Sequence, residues 1–166
     1  MSYTTIKAVY LNDRVEDLKR LRNSHGAAPI IWDAISQEYL NKAYFLADDK
    51  LWALWKAAYI PIHQRAVFLM TFDYAYVAKK DYKRASADIQ KFLQDFLPLF
   101  GQVNHWKVIT ELFKSDPDIP AIGFQMTSVA KELWGIDYDE DNNPLPLDWT
   151  KYWSVYDEID SLGERK

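Results

Sequence analysis

Several carboxylates near the carboxyl end of the chain have a spacing that could serve more than one kind of chemistry. They begin in an Asp-x-Asp-x-Asp rhythm and comprise Asp137, Asp139, Glu140, Asp141 and Asp148. Residues 137–160 hold eight acids and one base, a net charge of −7, whereas the whole chain carries −4. A nucleic-acid binder would be expected to concentrate positive charge instead. We therefore expect no direct binding of nucleic acid.

A calcium-binding loop is one interpretation of these acids. Such a loop places oxygen ligands at positions one, three and five, glycine at position six and glutamate at position twelve. Counting from Asp137, the first three ligands are present, but position six is Asn142 and position twelve is the shorter Asp148. Gly135 also interrupts the helix that should precede the loop. Because the match is partial, no metal site is predicted.

Acid–base catalysis is a second interpretation. Hydrolysis by paired carboxylates needs two acids about 5–9 Å apart, and their environments must differ so that their pKa values separate. Acids clustered on a solvated loop share one environment. The segment therefore favours no active site, and we expect a protein that is not an enzyme.

The other residues that could carry chemistry are isolated. His25, His63 and His105 show no metal-ligand spacing. Thr127 and Ser128 lack the glycines of a nucleophile elbow, and a role as a helix cap is favoured. There is no cysteine, which excludes disulfides and thiolate zinc sites. No catalytic residue, metal or cofactor is predicted.

One cluster of basic residues is present between positions 79 and 91. On a helix its members would cover the exposed face, which is more typical of a solvated surface than of a phosphate-binding patch. The cluster consists of Lys79, Lys80, Lys83, Arg84 and Lys91.

Four aromatic residues follow the acidic loop at helical spacings of three and four. Such a stripe can pack on a core, or it can form the centre of a protein interface, where buried rings contribute about 2 kcal/mol or more each. Flanking acids favour the interface, because charge of one sign steers a partner of the other sign. The predicted partner-binding residues are Asp137, Asp139, Glu140, Asp141, Asp148, Trp149, Tyr152, Trp153, Tyr156, Asp157 and Glu158.

The composition indicates one soluble domain. The chain has 166 residues, of which 49% are hydrophobic and 16% aromatic. Neither a signal peptide nor a membrane span is predicted, since the amino terminus lacks a basic start followed by an apolar run and no later run is long enough. A cytoplasmic protein is expected, with no membrane as its partner.

Apolar spacing predicts an all-α fold of about six to eight helices in a single domain, residues 1–166. Segment 15–22 is apolar at three-residue intervals, 62–77 is apolar on most sides, and 79–96 is amphipathic. Asp148 is predicted to cap a last helix that carries the aromatic stripe. The further predicted helices are 31–39, 51–59 and 105–113, and the predicted extended segment lies near 119–129.

Three stretches carry a resemblance to a known class of protein: VNHWKVITELF, PAIGFQMTSV and YWSVYDEI. With its acidic, cysteine-free composition, the chain resembles bacterial immunity proteins that neutralise secreted toxins, such as those of contact-dependent inhibition systems. This resemblance implies tight binding to a toxin domain, often a basic nuclease.

The leading hypothesis is therefore a non-enzymatic inhibitor that binds a basic protein partner. The alternative is a helical small-ligand protein or enzyme, in which rings between helices enclose an apolar ligand. The walls of that pocket would be Trp52, Trp55, Trp106 and Trp134.

Overall fold

A computed structural model describes residues 3–10, 14–22, 27–97, 105–126, 139–143 and 152–164. Strands and α-helices are mixed along these ranges. The strands are β1 (Tyr3–Val9), β2 (Val15–Arg22), β3 (Ala75–Ala78), β4 (Ala121–Met126) and β5 (Trp153–Ser154). The helices are α1 (Ala28–Leu40), α2 (Ile62–Leu69), α3 (Tyr82–Asp95), α4 (His105–Lys114) and α5 (Val155–Glu164).

The prediction of an all-α fold is wrong, because the strands form one mixed sheet. Within the described ranges the sheet has five strands in the order β2-β1-β4-β3-β5. β1 is antiparallel to β2 and to β4, and β3 is antiparallel to β4. β5 runs parallel to β3 at the far edge. The protein is therefore α/β, with the short β5 leading directly into α5.

The segment Val15–Arg22 is a strand and not the predicted helix. Leu21 is 3% exposed and packs in the core, whereas Leu18 is 40% exposed, so the three-residue spacing does not mark one buried face. Most of the other side chains of β2 are exposed. Charged side chains of this kind suit an edge strand, where they discourage pairing with another chain.

The predicted single helix over 62–77 is also wrong. Helix α2 ends at Leu69, a turn follows, and the chain re-enters the sheet as β3. Tyr74 adopts a left-handed backbone with φ of 63°, which a continuing helix does not allow. A long apolar run fits a buried helix and a buried strand equally well, so periodicity could not separate them.

Other predicted elements are confirmed. α1 begins with proline in its first turn, α3 and α4 match their amphipathic patterns, and β4 matches the extended segment. The predicted helix over 51–59 is replaced by turns and short 3-10 helices, Asp48–Lys50 and Leu54–Lys56. Thr127 and Ser128 lie outside the described residues.

The main core lies between the helices and one face of the sheet. In β4, Ile122 and Phe124 belong to this core, whereas Ala121 belongs to a smaller cluster. Because neighbouring residues of a strand point to opposite faces, the smaller cluster covers the other side of the sheet. In the described part of the chain no helix is long and apolar enough to cross a membrane.

Candidate functional site

The predicted aromatic stripe does not form on one helix. Tyr152 and Trp153 precede helix α5, and Trp153 pairs with Ala75 of β3. Tyr152 is part of the smaller core cluster, whereas Trp153 is half-buried and packs against both clusters. Only Tyr156, among the stripe residues described, lies on the helix. Trp149, Asp148 and Asp137 lie outside the described residues.

Tyr152 belongs to the smaller core cluster. The residue is 9% exposed, and its ring meets the ring of Tyr74 edge-on, with centroids 5.3 Å apart. A Cβ atom at Gly123 would lie 2.8 Å from Cε1 of Tyr152 and 2.7 Å from Cγ2 of Val9. The glycine thus leaves the space that the tyrosine ring fills. Burial raises the pKa of the Tyr152 hydroxyl above its ordinary value.

Tyr156 is buried on the helical side of the sheet, with 1% of its surface exposed. Its hydroxyl donates to Oδ2 of Asp88 at 2.7 Å. The guanidinium of Arg84 lies over the ring, 4.2 Å from its centroid, and donates to both carboxylate oxygens of Asp160 at 2.9 and 3.0 Å. We call these four residues the arginine network. Their contacts indicate that Tyr156 and Asp160 stabilise the fold.

Trp153 has a different environment. It lines a cavity of about 240 Å³ together with Trp55, Leu69, Phe72 and Glu158, which we call the indole pocket. The rings of Phe72 and Trp153 meet edge-on, with centroids 6.3 Å apart. Trp55 and Trp153 are each half-buried, so part of each indole remains accessible. Of the predicted partner-binding residues, Trp153 and Glu158 are thus brought together.

Local contacts fix the start of α5 and therefore the position of Glu158. The backbone N–H of Trp153 donates to the carbonyl of Tyr74 at 2.8 Å, which holds β5 against the sheet. The hydroxyl of Ser154 accepts from the backbone N–H of Asp157 at 3.3 Å, as an N-cap does. The Ser-x-x-Asp pattern was available in the sequence, but Asp148 had been predicted as the cap. The real helix begins six residues later than that prediction implies.

The acids of α5 differ in their electrostatic partners. Hydrogen bonds from Arg84 hold the pKa of Asp160 below its ordinary value. Glu158 and Asp157 form no ion pair within the described parts of the chain. Asp157 is exposed and Glu158 is half-buried at the pocket. Both lie in the first helical turn, where the helix dipole also favours negative charge.

The acidic segment around Asp139 forms a closed turn. One carboxylate oxygen of Asp139 accepts from the backbone N–H of Asp141 at 3.0 Å and of Asn143 at 2.9 Å. Asn142 supplies the left-handed residue, with φ of 63°. The carboxylate of Asp139 therefore holds the turn, while Glu140 and Asp141 are exposed. Within the described residues no group of three or more His, Cys, Asp or Glu side chains could hold a metal ion.

Part of the predicted basic face is occupied by internal contacts. Lys79 pairs with Asp116 at 3.0 Å and Arg84 pairs with Asp160. Lys80, Lys83 and Lys91 are at the surface, as a solvated face predicts. A cavity of about 400 Å³ lies beside α3 and α4; its lining residues are Lys79, Lys80, Tyr82, Lys83, Ser86, Phe113, Lys114 and Asp116.

A histidine–carboxylate contact was missed in the sequence. Nε2 of His63 lies 2.5 Å from Oδ2 of Asp95, which also accepts from Gln64 at 2.8 Å. Gln64 in turn accepts from the hydroxyl of Tyr39. Burial alone would raise the pKa of Asp95, but the hydrogen bonds from Gln64 and His63 hold it below its ordinary value. These contacts tie α1, α2 and α3 together.

The four tryptophans proposed as walls of a ligand pocket are not gathered around one cavity. Trp106 is fully buried and its indole donates to the carbonyl of Ala27 at 2.9 Å. Trp52 packs against Trp32 and Phe68. Trp55 lines the indole pocket instead, and Trp134 lies outside the described residues.

Comparison with known proteins leaves the site to be interpreted from its own residues. No protein-family model, no curated protein and no solved structure matches this chain.

Proposed function

We propose that this protein is a non-enzymatic inhibitor, of the immunity type, that binds a basic protein partner. One observation carries the proposal: Glu140, Asp141, Asp157 and Glu158 have no ion-pair partner in the described parts of the chain, whereas Asp160 is paired with Arg84. Acids without an intramolecular cation leave a negative field that acts on other molecules.

Such a field suits fast capture of a cationic protein. Complementary charge raises association rate constants toward about 10⁸ M⁻¹s⁻¹ at low salt, against about 10⁵–10⁶ for uncharged surfaces. Half-buried indoles beside the charge add apolar contact area, and tryptophan is enriched among residues that dominate binding energies. Trp55 and Trp153 meet this description.

The resemblance to immunity proteins suggests the class of partner. A secreted toxin domain that acts on nucleic acid would itself be basic, because it must bind phosphates. An acidic inhibitor in the bacterial cytoplasm would reach such a domain quickly and block it. The predicted absence of catalysis belongs to the same proposal.

Charge reversal of the acidic turn tests this function. Asp139 must be kept because its side chain closes the turn, so the variant is Glu140→Lys with Asp141→Lys. The control is Glu38→Lys with Asp118→Lys, which alters the net charge equally at two exposed acids elsewhere. Each tagged protein is used to capture partners from its source organism, and the association rate of the captured partner is then measured.

The proposal requires that the captured partner be basic and associate about tenfold or more slowly with the turn variant at low salt. The control should stay within about twofold of the wild type, and high salt should remove the difference. Equal rates for the two variants would show that the acidic turn is not part of a recognition surface.

A second candidate, binding of a small anion, rests on the cavity lined by Lys79, Lys80, Lys83 and Lys114. Its volume of about 400 Å³ lies within the usual range for small-ligand sites. Titration of the wild type with inorganic phosphate should then shift the NMR resonances of the residues that line this cavity. Lys80→Ala with Lys83→Ala should abolish the shifts. Lys91→Ala, which lies on the same helix as Lys83 but outside the cavity, should not. Shifts that are absent in the wild type would eliminate this candidate.

A further inference from the structure

We infer that the indole pocket binds one arginine side chain of the protein partner. The inference rests on the proposed function, because it names the chemical group that the acidic surface recognises. The pocket combines apolar walls with one carboxylate, and its volume of about 240 Å³ suits a single side chain rather than a larger ligand.

The pocket is built from separate elements that the fold holds together. Trp55 lies in the 3-10 helix Leu54–Lys56, Leu69 ends α2, Trp153 lies in β5 and Glu158 lies in α5. Leu69 is almost fully buried and contributes to the lining. Since these contacts are made without a partner, the pocket is preformed, which lowers the entropic cost of binding.

The lining matches the two ends of an arginine side chain. Its methylene stem can lie against Phe72 and Leu69, while the planar guanidinium can stack on an indole face. Glu158 offers a carboxylate that can accept two parallel N–H donors. Lysine would bring the charge but not the planar fork, so arginine is preferred.

The arginine network gives an internal template for this chemistry. In that network an aromatic ring, Tyr156, and an acid of the same helix, Asp160, hold the guanidinium of Arg84 by stacking and by two hydrogen bonds. The indole pocket presents the same pair of groups, Trp153 and Glu158, and no arginine of the described ranges lines it. The arginine is therefore expected from another molecule.

The ammonium group of Lys56 lies close to one wall of the indole pocket. Nζ of Lys56 is 5.1 Å from the ring centroid of Trp55. Lys56 lines a neighbouring cavity rather than the indole pocket, and it forms no ion pair with Glu158. Lys56→Ala should therefore leave arginine binding intact or strengthen it.

The test is titration of the full chain with N-acetyl-arginine amide, followed by the indole N–H resonances of Trp55 and Trp153 in NMR spectra. The matched probe is the citrulline analogue, which has the same shape and no charge. We expect saturable shifts of both indoles with arginine and at least about tenfold weaker binding of citrulline, since hydrogen bonds to charged groups contribute about 1.5–3 kcal/mol. Equal binding of the two probes would overturn the inference.

Two variants separate the pocket from general electrostatics. Glu158→Gln should weaken arginine binding about tenfold. Asp157→Asn removes the same charge from an exposed neighbour outside the pocket and should change it by less than about twofold, because such charges are screened. Equal losses in the two variants would contradict a site at Glu158.

The acidic-turn variant (Glu140→Lys with Asp141→Lys) and Glu158→Gln together distinguish this inference from the proposed function. If the acidic-turn variant slows partner association while Glu158→Gln leaves the partner's affinity unchanged, the inhibitor function stands and the pocket inference fails. If Glu158→Gln weakens binding of a captured partner while the acidic-turn variant associates with it as fast as the wild type, recognition by the acidic turn fails and the arginine site stands.

Discussion

Two acid–aromatic pairs, Tyr156 with Asp160 and Trp153 with Glu158, combine the same classes of side chain in different surroundings along β5 and α5. Tyr156 and Asp160 are joined to Arg84 of α3, so their charge and ring area are used inside the molecule. Trp153 and Glu158 line the indole pocket without an ion pair in the described residues. Acids beside rings thus have a structural role where the chain supplies the cation. Where it does not, they can serve recognition.

The largest expected effect breaks the structural pair. Tyr156→Ala should lower the free energy of unfolding by about 3–5 kcal/mol, because a fully buried aromatic side chain is lost. Trp153→Ala should cost clearly less, because that indole is only half-buried. Urea denaturation of the two variants measures both. Equal losses would mean that the two rings have the same structural role.

The packing of Tyr152 gives a second prediction. Gly123→Ala should lower the free energy of unfolding by about 1–3 kcal/mol, since the new methyl group would meet Val9 and the Tyr152 ring. Gly163→Ala is the control, because nothing lies within 4 Å of its added Cβ. That change in α5 should be neutral or stabilising by up to about 1 kcal/mol. Thermal or urea unfolding that shows no difference between the two would contradict the position of Tyr152.

The hydroxyl of Tyr156 gives a third prediction, of similar size. Tyr156→Phe keeps the ring but removes the donor to Asp88, and it should cost about 1–3 kcal/mol because the acceptor stays buried. The variant should keep its affinity for the arginine probe, since Tyr156 does not line the pocket. If the variant lost arginine binding without losing stability, Tyr156 would belong to the binding site and not to the structural network.

The smallest effect concerns the ion pair of Asp160 and its dependence on pH. Asp160→Asn should lower the free energy of unfolding at pH 7 by at most about 1 kcal/mol, because the pair is largely exposed. Arg84 lowers the pKa of folded Asp160, so the contribution is present above the ordinary value of about 3.9 and is lost as the pH falls through the folded value. Urea unfolding at several pH values measures it. If the difference in free energy of unfolding between wild type and variant grew as the pH fell, the predicted direction of the pH dependence would be contradicted.

Local patterns in the sequence predicted only part of this molecule. The amphipathic helices α3 and α4 were found because their apolar faces repeat at helical spacing. The strand Val15–Arg22 was missed because three apolar residues at helical intervals outweighed the charged residues of an edge strand. A strand with few buried residues has no clear two-residue alternation.

The candidate site depended on contacts that no local pattern reveals. Arg84 and Asp160 are 76 positions apart, so the sequence could not show that one acid of α5 is neutralised and Glu158 is not. Trp55 was considered for a different pocket, and it lines the indole pocket with Trp153, whose position depends on the parallel pairing of β5 with β3. Trp153 and Glu158 were predicted as partner-binding residues of one helical stripe; both line the indole pocket, but Trp153 lies in β5 and only Glu158 lies on the helix.

The most direct test of the central claim compares Glu158→Gln with Asp160→Asn in binding to the captured basic partner. Both variants remove one negative charge from α5, so long-range steering changes equally. We predict that the dissociation constant rises about tenfold for Glu158→Gln and stays within about twofold of wild type for Asp160→Asn. Equal effects, or a larger effect at Asp160, would contradict the division of α5 into a structural acid and a recognition acid.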